Sequence, residues 1–503
     1  MVFSSNIFLF AFLPLVMISY FLLPEKLVGK NYKNSLLLVA SLFFYAWGEM
    51  HYLWLLMLSI IGNYAFGIAI EKVFTSFGFK SQNDKKVLSK TIIILAVIFN
   101  LVLLCYFKYA NFLAENINLI FGLEIANKKI NLPIGISFFT FHAISYLVDI
   151  YRGKCKAQKN IFDLSLYIAF FPQLIAGPIV RYNFVEKYLT KRRHNSFFIA
   201  YGVRRFVIGF IKKVLIANPL GEVADVVFSS PTSDLNSPIA WIGIICYTLQ
   251  IYFDFSGYSD MAVGLARIFG FKFPENFNYP YISKSIKEFW RRWHMSLSAW
   301  FRDYVYIPLG GNRVSQARQY FNLVIVFFLC GLWHGSSWNF IVWGLFHGLF
   351  LVLERLLEGY NFSVIFGRKQ RLPSQQLGFS TLGILKIISG YIYTILVIIV
   401  GWVFFRSSDL SYSVNFLQVM FSNSYEVNFS SDLLRLLNSH IIWASFTAAI
   451  LGFSPFVRNC CLKLIRKNKI FVLFFDIVLI LLFVAAIIQL SATTHNPFIY
   501  FQF

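Results

Sequence analysis

Residues 331–339 read GLWHGSSWN and place His334 between two apolar runs, YFNLVIVFFLC (320–330) and FIVWGLFHGLF (340–350). An ionisable side chain at membrane depth is costly, faces a cavity or a partner, and marks function by default. If a helix starts near Tyr320 on the cytoplasmic side, the fourteen residues to His334 rise ~21 Å. That is deep inside a hydrocarbon core ~30 Å thick. Imidazole is the side chain best suited to take up and return a proton near neutral pH. Gly331 and Gly335 let the backbone bend and let another chain or a ligand come close. A histidine hydrogen-bonded inside a bundle is the structural alternative for His334, and His347 on the following apolar run fits that alternative.

Two further clusters interrupt apolar sequence. QIYFDFSGYSDMAVGLA (250–266) carries Asp254 and Asp260, and FWRRWHMSLSAWFRD (289–303) carries Arg291, Arg292, His294, Arg302 and Asp303. Carboxylates and arginines in neighbouring segments can pair with one another, which gives Asp254, Asp260, Arg291 and Arg292 a structural reading. Ser336 and Asn339, beside His334, complete the set of polar residues that either line a cavity or hold the bundle together. Other chemistries lack their motifs. There is no G-x-S-x-G, no H-E-x-x-H, no P-loop and no H-x-x-x-x-D pair. The histidines are too scattered for metal-ligand spacing, so no metal is expected.

These residues need elements to position them, and composition says which. The chain has 503 residues, of which 58% are hydrophobic and 14% charged, with 59 Phe and a mean hydropathy of +0.63. A soluble fold of this length has no interior large enough for that apolar surface, so the expectation is an all-α, polytopic membrane bundle. The net charge of +22 sits mostly in short loops between apolar runs, where Lys and Arg act as orientation signals. No nucleic-acid motif accompanies it. The six cysteines form no C-x-x-C, which leaves a disulfide framework or zinc site unsupported. The apolar N-terminus lacks a basic leader and a small-residue cleavage site, and reads as a retained first span.

Apolar spans fall near 3–23, 34–48, 51–70, 91–108, 130–150, 161–178, 197–217, 238–253, 318–333, 336–354, 379–405, 436–456 and 470–490. Several are too short to cross alone, so about 11 to 13 membrane helices, with short interfacial and re-entrant ones, are expected. Basic loops after span one, around 72–90, around 368–371 and around 458–469 belong in the cytoplasm, and both termini then lie outside. One membrane domain covers 1–503. Within it, 271–318 is amphipathic and aromatic and suits the cytoplasmic interface, and 491–503 forms an extracytoplasmic tail.

FWRRWHMSLSAWFRDYVYIPLGGNR (289–313) and GLWHGSSWNFIVWGLFHG (331–348) resemble the membrane-bound O-acyltransferase family. FFPQLIAGPIVRY (170–182), YFDFSGYSDMAVGLA (252–266) and the opening MVFSSNIFLFAFLPL are similar to the same bacterial branch, which serves alginate and peptidoglycan O-acetylation and teichoic-acid D-alanylation. The resemblance implies a helical bundle around a pore-like cavity. It maps the family's presumed catalytic histidine onto His334 and its second histidine onto His294. It further implies acetyl-CoA as co-substrate with no bound cofactor. Acetyl would pass across the cytoplasmic (inner) membrane to an exported, alginate-like polysaccharide, with a periplasmic or extracellular acetyltransferase as partner. Basic residues in 284–318 suit CoA phosphates. The tail THNPFIYFQF (494–503) resembles the ending of a companion peptide thought to carry acyl groups on a tyrosine, which corresponds to Tyr500. An aromatic interface anchor is the alternative for that tail. Peptidoglycan or cellulose acetylation, a transporter of acyl donor or glycan, and a scaffold for an export machine remain the competing readings.

Overall fold

Backbone polar groups in hydrocarbon must be satisfied within their own segment, and a chain this apolar answers with helices. The computed structural model describes residues 1–23, 29–76, 81–124, 130–359, 381–423, 429–492 and 496. Among these there is no strand. The helices are α1 (Leu13–Leu22), α2 (Lys30–Glu49), α3 (Leu53–Thr75), α4 (Gln82–Phe121), α5 (Ile136–Tyr151), α6 (Ile161–Ala169), α7 (Phe171–Leu174), α8 (Tyr182–Thr190) and α9 (Ser196–Ile211). They continue with α10 (Asn218–Ser229), α11 (Ser237–Ile268), α12 (Ile286–Arg292), α13 (Met295–Phe301), α14 (Gln316–His334), α15 (Trp338–Gly359) and α16 (Thr381–Arg406). The last are α17 (Leu410–Met420), α18 (Ser431–Leu437), α19 (His440–Gly452), α20 (Phe456–Lys467) and α21 (Lys469–Ala492).

Six helical stretches among the described residues are long and apolar enough to span a bilayer, or seven if the bent pair α18–α19 counts as one. The protein is a multi-pass membrane protein. The remaining expected spans fall on shorter helices. The apolar stretch 161–178 is one example: it breaks into α6, α7 and an irregular segment. There the backbone stays buried, with the Tyr167 hydroxyl donating to the Val180 carbonyl at 3.0 Å. Irregular backbone at membrane depth is tolerated where protein covers it.

The chain forms two compact units, Met1–Gly209 with Tyr258–Pro274, and Phe210–Gly257 with Glu275–Phe503. In the first unit, Asn63 on α3 and Asn100 on α4 exchange amide hydrogen bonds of 3.1 and 2.7 Å. Both side chains are buried, so each amide finds in the other the partner that lipid withholds. Phe3, Phe8, Phe44 and Phe171 pack against one another as an aromatic core of this unit.

In the second unit, α14 and α15 form a tight antiparallel hairpin. A Cβ on Gly331 would sit 2.3 Å from the Phe340 carbonyl, and one on Gly344 would sit 2.3 Å from the Phe327 carbonyl. The two helices therefore touch backbone to backbone, which only glycine permits. By contrast, α21 buries only 11% of its apolar window, whereas α11 buries 83%, so α21 faces lipid and α11 is core.

A buried two-histidine candidate active site

His334 is the last residue of α14, and the hairpin turn begins immediately after it. Gly335 follows with extended backbone, and its N–H returns to the Gly331 carbonyl at 3.3 Å. A Cβ on Gly335 would strike the Phe340 ring at 2.2 Å. These glycines close the turn over His334, which is only 4% exposed. Its ring stands edge-on to Trp343 and Phe405, with centroids 4.9 and 5.0 Å away, and 4.6 Å from Trp333.

His294 reaches the same place from the other direction. It precedes α13 in a left-handed conformation, φ 42° and ψ 54°. A non-glycine residue there costs roughly 1–2 kcal/mol, and such strain persists only where the surroundings impose it. Asn276 imposes it here. Its carbonyl accepts from Met295 N–H at 2.9 Å, and its side-chain Oδ1 accepts from the Ser296 N–H at 3.2 Å and hydroxyl at 2.9 Å. The His294 ring, 1% exposed, lies 4.7 Å from Phe255 and 6.0 Å from Trp333. Trp333 is thus the common neighbour of both histidines.

Glu354 on α15 holds α12, and through it His294. Its carboxylate accepts from Ile286 N–H at 2.5 Å and Lys287 N–H at 3.0 Å, capping α12. That contact sets Trp290 against Trp343, with ring centroids 5.7 Å apart. Trp290, Trp293, Trp333, Trp343 and Trp402 all line this region and all are buried. They are five of the chain's eleven tryptophans, so the imidazoles sit in a water-poor, low-dielectric wall. There an oriented proton acceptor is worth far more than in water.

The expected polar residues divide clearly. Asp254 forms an ion pair with Lys213 at 2.9 Å, with both side chains at most 2% exposed. Asp260 pairs with Arg205 at 2.6 Å, in the first unit. Arg292 bonds Glu288 one turn away at 2.8 Å and the Asn278 carbonyl at 3.1 Å, while Arg291 is exposed. Asp303 takes its neighbour Arg302 at 2.7 Å. The cross-pairing expected of Asp254 and Asp260 with Arg291 and Arg292 is therefore corrected: the cations come from α9 and the π-helical turn after it, remote in sequence. Asn339 donates to the Ser407 carbonyl at 2.7 Å and ties α15 to the end of α16; Ser336 is half-buried.

His347 packs rather than bonds. It is fully buried, 5.1 Å from both Trp290 and Trp343, and neither ring nitrogen has a hydrogen-bond partner among the described residues. Its Nε2 fills the notch left by Gly401, where a Cβ would sit 2.7 Å away. Tyr500 lies outside the described residues. Among the described residues no three His, Cys, Asp or Glu side chains group to hold a metal. Asn276, Lys213, Arg205 and Glu354 are the residues that sequence reasoning missed. Only Asn276, in the Pro-rich stretch just before α12, carried a local hint.

The role of His294 is separable from its backbone. Asparagine tolerates left-handed φ, so His294→Asn is expected to keep thermal stability within about 1 kcal/mol of the parent. Turnover should drop at least about tenfold. Thermal unfolding and release of CoA from acetyl-CoA measure the two effects; unchanged turnover would remove His294 from the chemistry.

Two buried imidazoles in an aromatic wall are groups that can take up and return a proton away from water. Residues 156–388, which contain both histidines, match the family model of the membrane-bound O-acyltransferases. Over the whole length of both chains, this one is 40% identical to the probable alginate O-acetylase AlgI of Azotobacter vinelandii and 40% identical to that of Pseudomonas putida. It is 35% identical to the peptidoglycan O-acetyltransferase of Helicobacter pylori over 92% of this chain and 88% of the other. The chain belongs to the membrane-bound O-acyltransferase family and is an O-acyltransferase.

Proposed function

We propose that this protein draws acetyl from cytoplasmic acetyl-CoA and passes it across the cytoplasmic membrane for O-acetylation of an exported, alginate-like polysaccharide. The observation that carries the reading is the pair His334 and His294, both buried against Trp333. The acceptor hydroxyl attacks the thioester carbonyl, and the His334 imidazole takes its proton. The carbon–sulfur bond then breaks, the ester forms, and the proton leaves with CoA as its thiol. His294, which also lies against Trp333, orients the reacting groups.

Lys284, Lys287, Arg291, Arg302, Arg313 and Arg318 stand partly or fully exposed and suit the phosphates of CoA. Identity along the full length to relatives named for alginate supports that glycan over peptidoglycan and cellulose. The acceptor hydroxyl is assigned to Tyr500, and a periplasmic or extracellular acetyltransferase then takes the acetyl to the glycan.

In the test, purified protein and its partner receive acetyl-CoA, free thiol is followed, and tryptic peptides are read by mass spectrometry. CoA release with acetyl on Tyr500 is the expected result. Acetyl-CoA consumed without release of CoA would mean transport instead. Full glycan acetylation by Tyr500→Phe would exclude the carrier role.

A further inference from the structure

We infer that Arg355, flanked by Arg313 and Arg318, holds the phosphate of an anionic phospholipid headgroup at the cytoplasmic end of the α14–α15 hairpin. Arg355 lies in the last turns of α15 and is half-buried. Its Nη1 donates to the Tyr306 hydroxyl at 3.3 Å, and its Nη2 donates to Asn312 Oδ1 at 3.1 Å and to Gln319 Oε1. All three acceptors are neutral, so the guanidinium is oriented while its charge stays unbalanced. Among the described residues no carboxylate pairs with it, and its Nε–H and second Nη1–H have no acceptor. A partly buried charge without a counter-ion is costly, and a fixed fork of N–H groups matches a phosphate.

The same network places two more cations. The Tyr306 hydroxyl donates to Asn312 Oδ1 at 2.7 Å, and the Gln319 amide donates to the Asn312 and Val314 carbonyls at 3.1 and 2.7 Å. These bonds close the loop between the π-helical turn Arg302–Tyr306 and α14, which doubles back at Gly310 and Gly311 with φ of 105° and 54°. Arg313 directly follows Asn312 and Arg318 directly precedes Gln319, so both stand beside residues that touch Arg355. Both are exposed, and neither has an ion pair among the described residues. That separates them from Arg302, whose charge is met by Asp303 at 2.7 Å. Lys284, Lys287, Arg291 and Arg302 remain for the phosphates of CoA.

The surroundings favour a lipid as the source of that phosphate. Phe321, in the first turns of α14, is 50% exposed, and the Arg318 guanidinium lies over its ring at 5.0 Å from the centroid. Ile307 in the loop is 54% exposed. On α15, Leu349, Leu353 and Leu356 are exposed at the spacing of one helix face, and that face ends beside Arg355. On a multi-pass protein such an apolar face meets acyl chains, and arginines at its end reach the headgroups. Gln319 lies fifteen residues before His334 on the same helix. The Arg355–Gln319 bond is therefore ~22 Å from the imidazole along α14, away from the chemistry. Basic groups between helices on the cytoplasmic side bind anionic headgroups, each arginine strengthening the attraction about fivefold.

The experiment gives the purified full-length protein in detergent either phosphatidylglycerol or phosphatidylcholine, which differ in headgroup charge, and follows the first retained lipid by native mass spectrometry. Preferential retention of phosphatidylglycerol is expected, weakened about fivefold by Arg355→Met. Arg313→Gln removes a charge without touching the hydrogen bonds of the loop and is expected to weaken retention by about the same factor. It keeps the test decisive if Arg355→Met folds poorly. Equal retention of the two lipids by the parent overturns the inference, as does undiminished phosphatidylglycerol retention in either variant that elutes monodisperse. Arg458→Gln removes an exposed cation from another cytoplasmic segment and is expected to change nothing. An equal loss there would mean that net charge alone attracts the lipid, and would overturn the site. Inorganic pyrophosphate probes a soluble source: bound phosphatidylglycerol should withstand it, and displacement that depends on Arg355 would overturn the lipid assignment.

Discussion

His334→Ala is expected to lower acetyl-CoA turnover by about 10²- to 10⁴-fold, the range that a positioned general base contributes. The expectation rests on the turn at Gly335 and on the rings of Trp333, Trp343 and Phe405, which hold the imidazole in one place away from water. Alanine also leaves a void in that wall, so a stability loss accompanies it. His334→Gln separates the two effects, because it fills most of the space and still hydrogen-bonds but does not carry a proton at neutral pH. Stability near the parent with turnover as low as the alanine variant is the expected pattern for glutamine. CoA release from monodisperse protein is the measurement, and near-parent turnover by His334→Gln would refute the catalytic assignment. His347→Phe is the control: it keeps the packing against Trp290 and Trp343 and should retain turnover within about threefold, since that ring serves packing.

Lys213→Met is expected to destabilise the protein by about 3–5 kcal/mol, because it strands the Asp254 carboxylate in the interior. The pair lies 2.9 Å apart with both side chains at most 2% exposed, so water does not compensate the loss. Replacing both partners, as Lys213→Met with Asp254→Leu, removes the stranded charge along with its neighbour. Most of the stability should return, since a buried ion pair is often matched by apolar residues of similar volume. Thermal unfolding in detergent follows all three variants. Turnover adds a second readout. With Asp254 structural, the double variant recovers activity to within about tenfold. A stable double variant without activity would place Asp254 in proton transfer beside His294, which its neighbour Phe255 touches.

The candidate site was legible in unequal parts. His334 stood out because a histidine between two glycines in apolar sequence has few explanations, and both glycines prove to be close-packing positions. His294 was visible as part of a polar cluster, but its role entered through a resemblance. Its left-handed backbone and its support from Asn276 depend on a segment eighteen residues earlier that no periodicity marks. The carboxylates were recognised as paired groups but given the wrong cations. Charge type is a property of a residue, whereas pairing is a property of two helices that meet.

By itself the sequence determined the membrane environment and the all-helical class, since 58% hydrophobic residues leave no soluble alternative. It also singled out His334 as the candidate proton acceptor, because imidazole at that depth is costly without a use. Only the tertiary structure decided that His294 reaches Trp333 beside His334, that Glu354 anchors α12, and that Lys213 and Arg205 answer the buried aspartates. These contacts join residues dozens of positions apart. Helix periodicity specifies which face is apolar, but lipid accepts every apolar face equally. Which faces meet is therefore decided by close-packing glycines and buried polar pairs, which act only once the helices are assembled.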